Sequence, residues 1–367
     1  MLVPNKRIYE PISMRNKMIE EDLAKIIEDS NLPWSDFENK TVLITGANGF
    51  LPAYMIETLL FLNERRNINK TRVLGLVRNR ERASLRFKHY QNRSDFEMIV
   101  QDVCDPLSIQ KKKDIHYIIH AASQASPKYY GKDPVGTILP NVLGTYNLLN
   151  LAKDKKVKDF LFFSSSEIYG QVDSSKMPIK EDTCGFIDPM DVRSCYAESK
   201  RMGETMCVSW FHLYGVPVKI IRPFHTYGPG MRLDDGRVYA DFINDIVNNR
   251  DIVMKSDGSA IRAFCYVADA VAGFFTVLLK GKIGHAYNIS NDRCEISILD
   301  LANKIISLFP EKKLKTKRLN SVGDKNYLQS KVSRTSPDIS KVRNLGWYPD
   351  VSIAQGFKRT IRSFLCE

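Results

Sequence analysis

Thr41-Val42-Leu43-Ile44-Thr45 is a short β-branched run that passes directly into Gly46-Ala47-Asn48-Gly49-Phe50-Leu51-Pro52-Ala53. Apolar residues at helical spacing follow, Met55, Ile56, Leu59 and Leu60. A strand, a glycine-rich turn and a helix in immediate succession constrain the fold more than anything else in the chain, because they define the opening unit of a dinucleotide-binding sheet. Gly46 permits the tight turn. Gly49 lets the backbone approach a pyrophosphate, which then rests on a helix N-terminus where free amides and the dipole favour an anion. The third glycine of the usual pattern is replaced by Pro52, which a first helical turn tolerates because the missing N–H would be unpaired there anyway. Gly46, Asn48, Gly49, Phe50 and Leu51 are therefore the candidate cofactor contacts of this turn.

The segments that follow repeat the strand and helix alternation. Arg72 to Val77 reads as a strand ending in Arg78-Asn79-Arg80, where an acid would normally hold the adenosine ribose. Arg78 is expected either to bind a 2′-phosphate, which points to NADP, or to stack on adenine. Met98-Ile99-Val100 leads to Asp102 and Val103 at a strand end suited to the adenine. Tyr117 to His120 forms a buried strand followed by the small residues Ala121, Ala122 and Ser123, and then Ser126. Phe160 to Phe163 carries Ser164-Ser165-Ser166-Glu167 to the carboxyl edge of the sheet, where ligands bind in such folds. The fold class expected is α/β, a Rossmann-type doubly wound parallel sheet with a smaller, interwoven α/β C-terminal substrate domain. The boundaries expected are a helical extension over 1–38, the dinucleotide-binding domain over 39–223 with about 250–280, and the substrate domain over about 224–249 and 281–367.

Tyr196-Ala197-Glu198-Ser199-Lys200 sets a phenol and an ammonium one helical turn apart on one face. A neighbouring ammonium lowers a phenol pKa, and the phenolate can then take a proton from a sugar hydroxyl. Tyr-x-x-x-Lys alone is common. Its place after the glycine turn and the serine loop, in that order, is what points to chemistry. Ser165 is expected to hold the reacting hydroxyl beside Tyr196, and Glu167 to add a carboxylate at the sugar.

A formal charge of +12 invites a search for anionic partners, but the basic residues are scattered, which fits a solvated surface or a phosphate-bearing small substrate better than nucleic acid. The seven cysteines include no Cys-x-x-Cys pair and read as reduced thiols, so a cytoplasmic location and no metal are expected. The N-terminus lacks a signal-type apolar region, and the longest apolar run, Ala270 to Leu279, is too short for a bilayer, so no membrane partner is expected. Ile19, Leu23, Ile26 and Ile27 predict one amphipathic helix over Arg15 to Ser30.

The order TGANGFLP, HAASQASP, SSSEIYG, YAESK and RPFHTYGPG, from about Lys40 to Phe364, resembles the extended short-chain dehydrogenase/reductases that modify nucleotide sugars. HAASQASPKYY, Ser165 to Glu167, Arg193-Ser194-Cys195-Tyr196 with Glu198 and Lys200, Thr226-Tyr227-Gly228-Pro229 and Asp235-Gly236-Arg237-Val238 bring it nearest to UDP-glucuronate decarboxylases. The C-terminal stretch Ser336 to Lys341 with Leu345-Gly346-Trp347 resembles the family's C-terminal signature, with Trp347 expected in the core. The resemblance implies a tightly bound NAD and a UDP-linked sugar oxidised at its 4-hydroxyl. It implies Ser165, Ser166, Glu167, Tyr196 and Lys200 as catalytic residues, with Lys200 on the nicotinamide ribose and Arg222 among the cofactor contacts. Ser126, His225, Arg237 and Arg262 would hold the substrate, Arg237 at its diphosphate and Arg262 at the diphosphate or the reacting ring, and a homodimer would form through two helices. His225 and Gly230 depart from the usual residues, Asn and Arg, so 4-epimerisation or 4,6-dehydration remain alternatives. Ser166-Glu167 in place of the Asp-Glu of the dehydratases argues against dehydration. A non-catalytic Rossmann binding protein is the distant alternative.

Overall fold

The computed structural model describes residues 16–365 apart from residues 30, 67–68, 108, 110–113 and 319–331, so the first fifteen residues of the expected N-terminal extension lie outside it. Helix α1 (Lys17–Glu28) starts at Asn16, whose side chain accepts from the Met18 amide, and it buries Ile19, Leu23, Ile26 and Ile27. Those are the four positions that the helical spacing selects.

Strand β1 (Thr41–Thr45), helix α2 (Phe50–Arg65), strand β2 (Arg72–Val77), helix α3 (Arg80–Arg86), strands β3 (Phe96–Val100) and β4 (Tyr117–His120), helix α4 (Pro134–Lys155), strand β5 (Asp159–Phe163), helix α5 (Cys195–Tyr214) and strand β6 (Val218–Pro223) follow in order. Their strands are near-continuous apolar runs because both faces of a parallel sheet are covered. In β1, Val42 and Ile44 enter the core beneath α1 and α2, while Leu43 enters the opposite core with Leu148 and Leu149 of α4 and Cys207 of α5.

The chain continues through β7 (His225–Tyr227), α6 (Val238–Val247), β8 (Ile252–Met254), β9 (Ile261–Tyr266), α7 (Val267–Lys280), β10 (Ala286–Ile289), β11 (Glu295–Ser297), α8 (Ile298–Ser307), β12 (Thr316–Arg318), β13 (Arg334–Thr335), α9 (Ser340–Arg343) and α10 (Ile353–Leu365). The main sheet has seven strands in the order β10-β6-β5-β4-β1-β2-β3, all parallel. This is the expected doubly wound sheet, with two differences in membership. The strand at Ala286–Ile289, expected in the substrate domain, is the seventh strand of the main sheet, in register with Ile220 to Pro223. Conversely β8 and β9, expected with the dinucleotide domain, pair outside it, β9 with β7, β11 and β13, and β8 with β12. Pairing is chosen by partners distant in sequence, so the local apolar pattern does not reveal it.

The apolar run in α7 is buried through Leu278, and Trp347 is buried with its indole N–H on the Asp269 carbonyl at 2.9 Å. Among the described residues no helix is long and apolar enough to cross a membrane.

Candidate active site at the carboxyl edge of the sheet

At the end of β1 the chain turns at Gly46 with φ of +65°, and a Cβ there would lie 2.7 Å from the Ala122 Cα. Only glycine allows the turn after β1 to lie against the turn after β4. Gly49 caps α2, and Phe50, Leu51 and Pro52 form the first helical turn, whose amides have no partners within the helix. Thr45 ties the two turns together. Its hydroxyl accepts from the Ala121 and Ala122 amides at 3.2 and 3.1 Å and lies 2.9 Å from His120 Nδ1. Having accepted twice, it donates to Nδ1, so the ring proton sits on Nε2 and points at the Pro140 carbonyl and the Thr145 hydroxyl, 3.2 and 3.1 Å away. Burial, and then the Lys200 charge, lower the His120 pKa to about 3, which keeps this support neutral.

These turns make a cradle for a dinucleotide. A Cβ on Gly46 would break its close approach, and Ser123 Oγ, Ser164 Oγ and His225 Nδ1 are buried without a hydrogen-bond partner among the described residues. Beside the cradle, Arg78 lies at the end of β2 with its guanidinium 3.9 Å from the Asp102 carboxylate, and Val103 is buried against Gly144. The residues present fit the group that the glycine turn implies.

The candidate catalytic set, Ser165, Tyr196 and Lys200, is assembled by β5 and α5. Ser165 follows β5, accepts from the Glu167 amide at 3.2 Å, and hydrogen-bonds the Tyr196 phenol. Tyr196 and Lys200 share one face of α5 and are 6% and 2% exposed, so water is largely excluded from the pair. Lys200 Nζ donates to the Phe163 carbonyl at 2.6 Å and stands 5.9 Å from the centre of the Tyr196 ring. The electrostatics correct one expectation. Burial raises the phenol pKa above its ordinary value, and the influences that oppose it are the Ser165 hydrogen bond and the Arg237 charge rather than the lysine. Burial also pulls Lys200 down to about 7, so the ammonium that was to activate the phenol is itself desolvated.

On the far side of the cleft, Arg237 precedes α6, donates to the Asp235 carboxylate and reaches the Ala125 carbonyl at 2.8 Å. Ser126 donates to the Asp235 carbonyl, which fastens this loop to the turn after β4. Arg262 on β9 donates to the carbonyls of Ile261, Ser333 and Val332. His225 on β7 feels both arginines, and burial, then Arg262 and Arg237, hold its pKa near about 3, so its ring is neutral. The structure thus brings Ser126, His225, Arg237 and Arg262 to one side of the cleft. The Arg237 charge also acts on the Tyr196 phenol, although the sequence placed this arginine only at the diphosphate.

Arg222, expected among the cofactor contacts, is held by protein groups. Its guanidinium is bound by both Glu204 carboxylate oxygens at 2.9 and 2.6 Å, by the Tyr169 hydroxyl at 2.8 Å and by the Glu181 carbonyl at 2.6 Å. A group held on so many sides fastens β6 to α5. Sequence reasoning also passed over two residues. Tyr130 stacks on Tyr196 with ring centres 5.1 Å apart and planes at 13°, and Arg193 forms an ion pair with Glu167 at 3.2 Å. Both lie within the quoted stretches PKYY and RSCY, so position was legible and role was not.

Fold and site together define a Rossmann-type protein with a serine, tyrosine and lysine set facing a cationic cleft. The sequence pattern of the NAD dependent epimerase/dehydratase family matches residues 42–290, and the chain belongs to that family. UDP-glucuronic acid decarboxylase 1 of Xenopus tropicalis is 34% identical over 334 residues, which cover 90% of this chain and 73% of that protein. UDP-glucuronic acid decarboxylase 6 of Arabidopsis thaliana is 34% identical over 87% of each chain. Among solved structures, UDP-glucuronic acid 4-epimerase of Bacillus cereus, in complex with UDP-glucuronic acid and NAD, superposes with a TM-score of 0.75. At 24% identity it covers 89% of this chain and 99% of its own, a likeness of fold.

Proposed function

We propose that the chain is a UDP-glucuronate decarboxylase with a tightly held nicotinamide cofactor. Glu167 carries the reading: a carboxylate beside the Ser165, Tyr196 and Lys200 set, paired with Arg193, is a group that oxidation alone does not need. The 34% identity to decarboxylases over most of their length supports it. Gly46, Asn48, Gly49, Phe50 and Leu51 would cradle the pyrophosphate, Arg78, Asp102 and Val103 the adenosine, and Ala121, Ala122 and Ser123 the middle of the cofactor. When bound, the nicotinamide would take hydride from C4 of the sugar and later return it, which leaves the cycle redox-neutral.

The chain's own residues supply the rest. Ser165 holds the 4-hydroxyl, Tyr196 removes its proton, and Lys200 orients the ribose from below. Once C4 is a ketone, the C5 carboxylate is that of a β-keto acid and leaves as CO2. Glu167, with Ser166, then serves reprotonation of the enolate, and Tyr196 gives its proton back. His225, Arg237, Arg262 and Ser126 would bind the nucleotide sugar.

The assembly belongs to the same proposal. Val135, Leu139, Leu143 and Tyr146 on α4 and Met202, Val208 and Phe211 on α5 are large apolar residues left exposed on adjacent helices, as a homodimer face requires. The six described cysteines are free, which suits the reducing cytoplasm. Incubation with a panel of UDP-, GDP-, CDP- and dTDP-sugars tests the reading by product mass. Loss of CO2 from UDP-glucuronate supports it, and loss of water or an unchanged mass overturns it. Tyr196→Phe should lower that turnover at least about a hundredfold with binding nearly intact.

A further inference from the structure

Arg193 stands on the short turn Val192–Ser194 that feeds α5, and Glu167 on the turn Ser166–Tyr169 that follows β5. An ion pair from Nη1 to Oε2 at 3.2 Å joins the two segments that carry the reacting groups. The guanidinium also lies 5.9 Å over the Tyr130 ring, which stacks on Tyr196. Its segment is pinned on each side. Asp191 accepts from the Arg193 amide at 2.9 Å, the Ser194 hydroxyl donates to the Asp188 carbonyl at 2.6 Å, and the Cys195 thiol meets the Tyr130 carbonyl at 3.8 Å.

Charge makes this arrangement more than a brace. A carboxylate beside a phenol opposes its ionisation, and the Glu167 charge acts on both Tyr196 and Tyr130 in that sense. The other groups facing the phenol are Asp235, which opposes ionisation too, Arg237, which favours it, and the desolvated Lys200, whose Nζ is 5.9 Å from the ring centre. Arg193 faces Glu167 directly, their side chains 18% and 34% exposed, so water screens the pair only in part.

We propose that Arg193 is a positioning residue that acts through Glu167: it cancels the Glu167 charge beside the Tyr196 phenol, so that one small site holds an ionised carboxylate and a phenol able to give up its proton. The proposal rests on the reading of Tyr196 as the base that oxidises a 4-hydroxyl. Without the guanidinium, Glu167 would be needed for the later proton transfer and would hinder the earlier one.

The test is a double-mutant cycle on the full-length protein loaded with NAD, in which the rate of cofactor reduction by UDP-glucuronate is followed at about 340 nm. Arg193→Gln should slow reduction about tenfold at neutral pH and shift the acid limb of its pH profile upward by about one unit, the equivalent of one pKa unit at the phenol. In a Glu167→Gln background the same change should cost less than about threefold, because no charge remains to be cancelled. Arg193→Lys, which keeps the charge, should recover most of the rate. Calorimetry should give unchanged UDP-glucuronate affinity across the set, and thermal melting identifies any variant that fails to fold, in which case the Lys variant in the two backgrounds carries the comparison. An equal loss in both backgrounds, or weakened substrate binding with the rate intact, overturns the proposal while the decarboxylase reading stands. Epimerisation in place of CO2 loss overturns that reading and leaves the cycle on the reduction step measurable. A wild type that reduces no cofactor with any UDP-sugar overturns both.

Discussion

Tyr196 and Lys200 are both buried, so each is pushed toward its neutral form, the phenol upward and the ammonium down to about 7. A neutral pair carries as many protons as a phenolate beside an ammonium, the state from which oxidation of a hydroxyl begins, and the site reaches it by desolvation as much as by mutual charge. The residues that temper Tyr196, Ser165 and Arg237, come from two other parts of the chain, so Tyr-x-x-x-Lys advertises the pair without disclosing its tuning. The same limit applies to Arg78. Its missing acidic neighbour left a 2′-phosphate contact and stacking on adenine both open from sequence, and the Asp102 carboxylate, 3.9 Å from its guanidinium, would repel a 2′-phosphate. Arg78→Ala should therefore weaken NAD and NADP by similar factors, within about threefold of each other as partial loss of stacking would give, and binding titrations with both cofactors measure this. A loss confined to NADP would restore the phosphate role.

Helix α1 was legible as an amphipathic helix but not as a clamp. Asp22, on its buried face, accepts from the Tyr266 hydroxyl at 2.8 Å, from Arg359 at 2.8 Å and from the Tyr54 hydroxyl at 3.3 Å, so it joins α2, β9 and α10. An acid inside an apolar periodicity gives no sign in sequence of which distant groups will meet it. Burial raises its pKa from 3.8 to about 6 against the pull of Arg359 and the two tyrosines. A raised folded value means that the contribution of Asp22 to stability is fully present below pH 3.8 and is lost as pH rises through about 6, up to about 3 kcal/mol by linkage. Melting of wild type and Asp22→Asn at about pH 5 and about pH 7.5 measures this, because the variant does not titrate there. The wild type should fall relative to the variant at the higher pH, and a constant difference would contradict the linkage. The glycine turn after β1 and the serine loop after β5 were legible for the opposite reason, since each depends on neighbours in sequence. Strand β10 was assigned to the wrong sheet because its partner, β6, lies more than sixty residues away.

At the scale of the whole molecule, the seven-stranded sheet gathers its turns at one edge and α4 and α5 present an apolar face on its flank. Sedimentation at about micromolar concentration should give a dimer, and Leu143→Glu with Val208→Glu on that face should give monomers, as charges do at the centre of an apolar interface. A wild-type monomer would contradict the assignment. The central claim concerns the cleft, where one carboxylate separates a decarboxylase from a simple epimerase. Glu167→Gln with UDP-glucuronate tests it most directly, by following the bound cofactor at about 340 nm together with release of CO2. The account predicts that the variant still reduces its cofactor but stalls before product release, at least about a hundredfold slower than wild type in turnover, as loss of the carboxylate that relays a proton to the enolate would make it. Turnover close to wild type would contradict decarboxylation and leave a 4-epimerase.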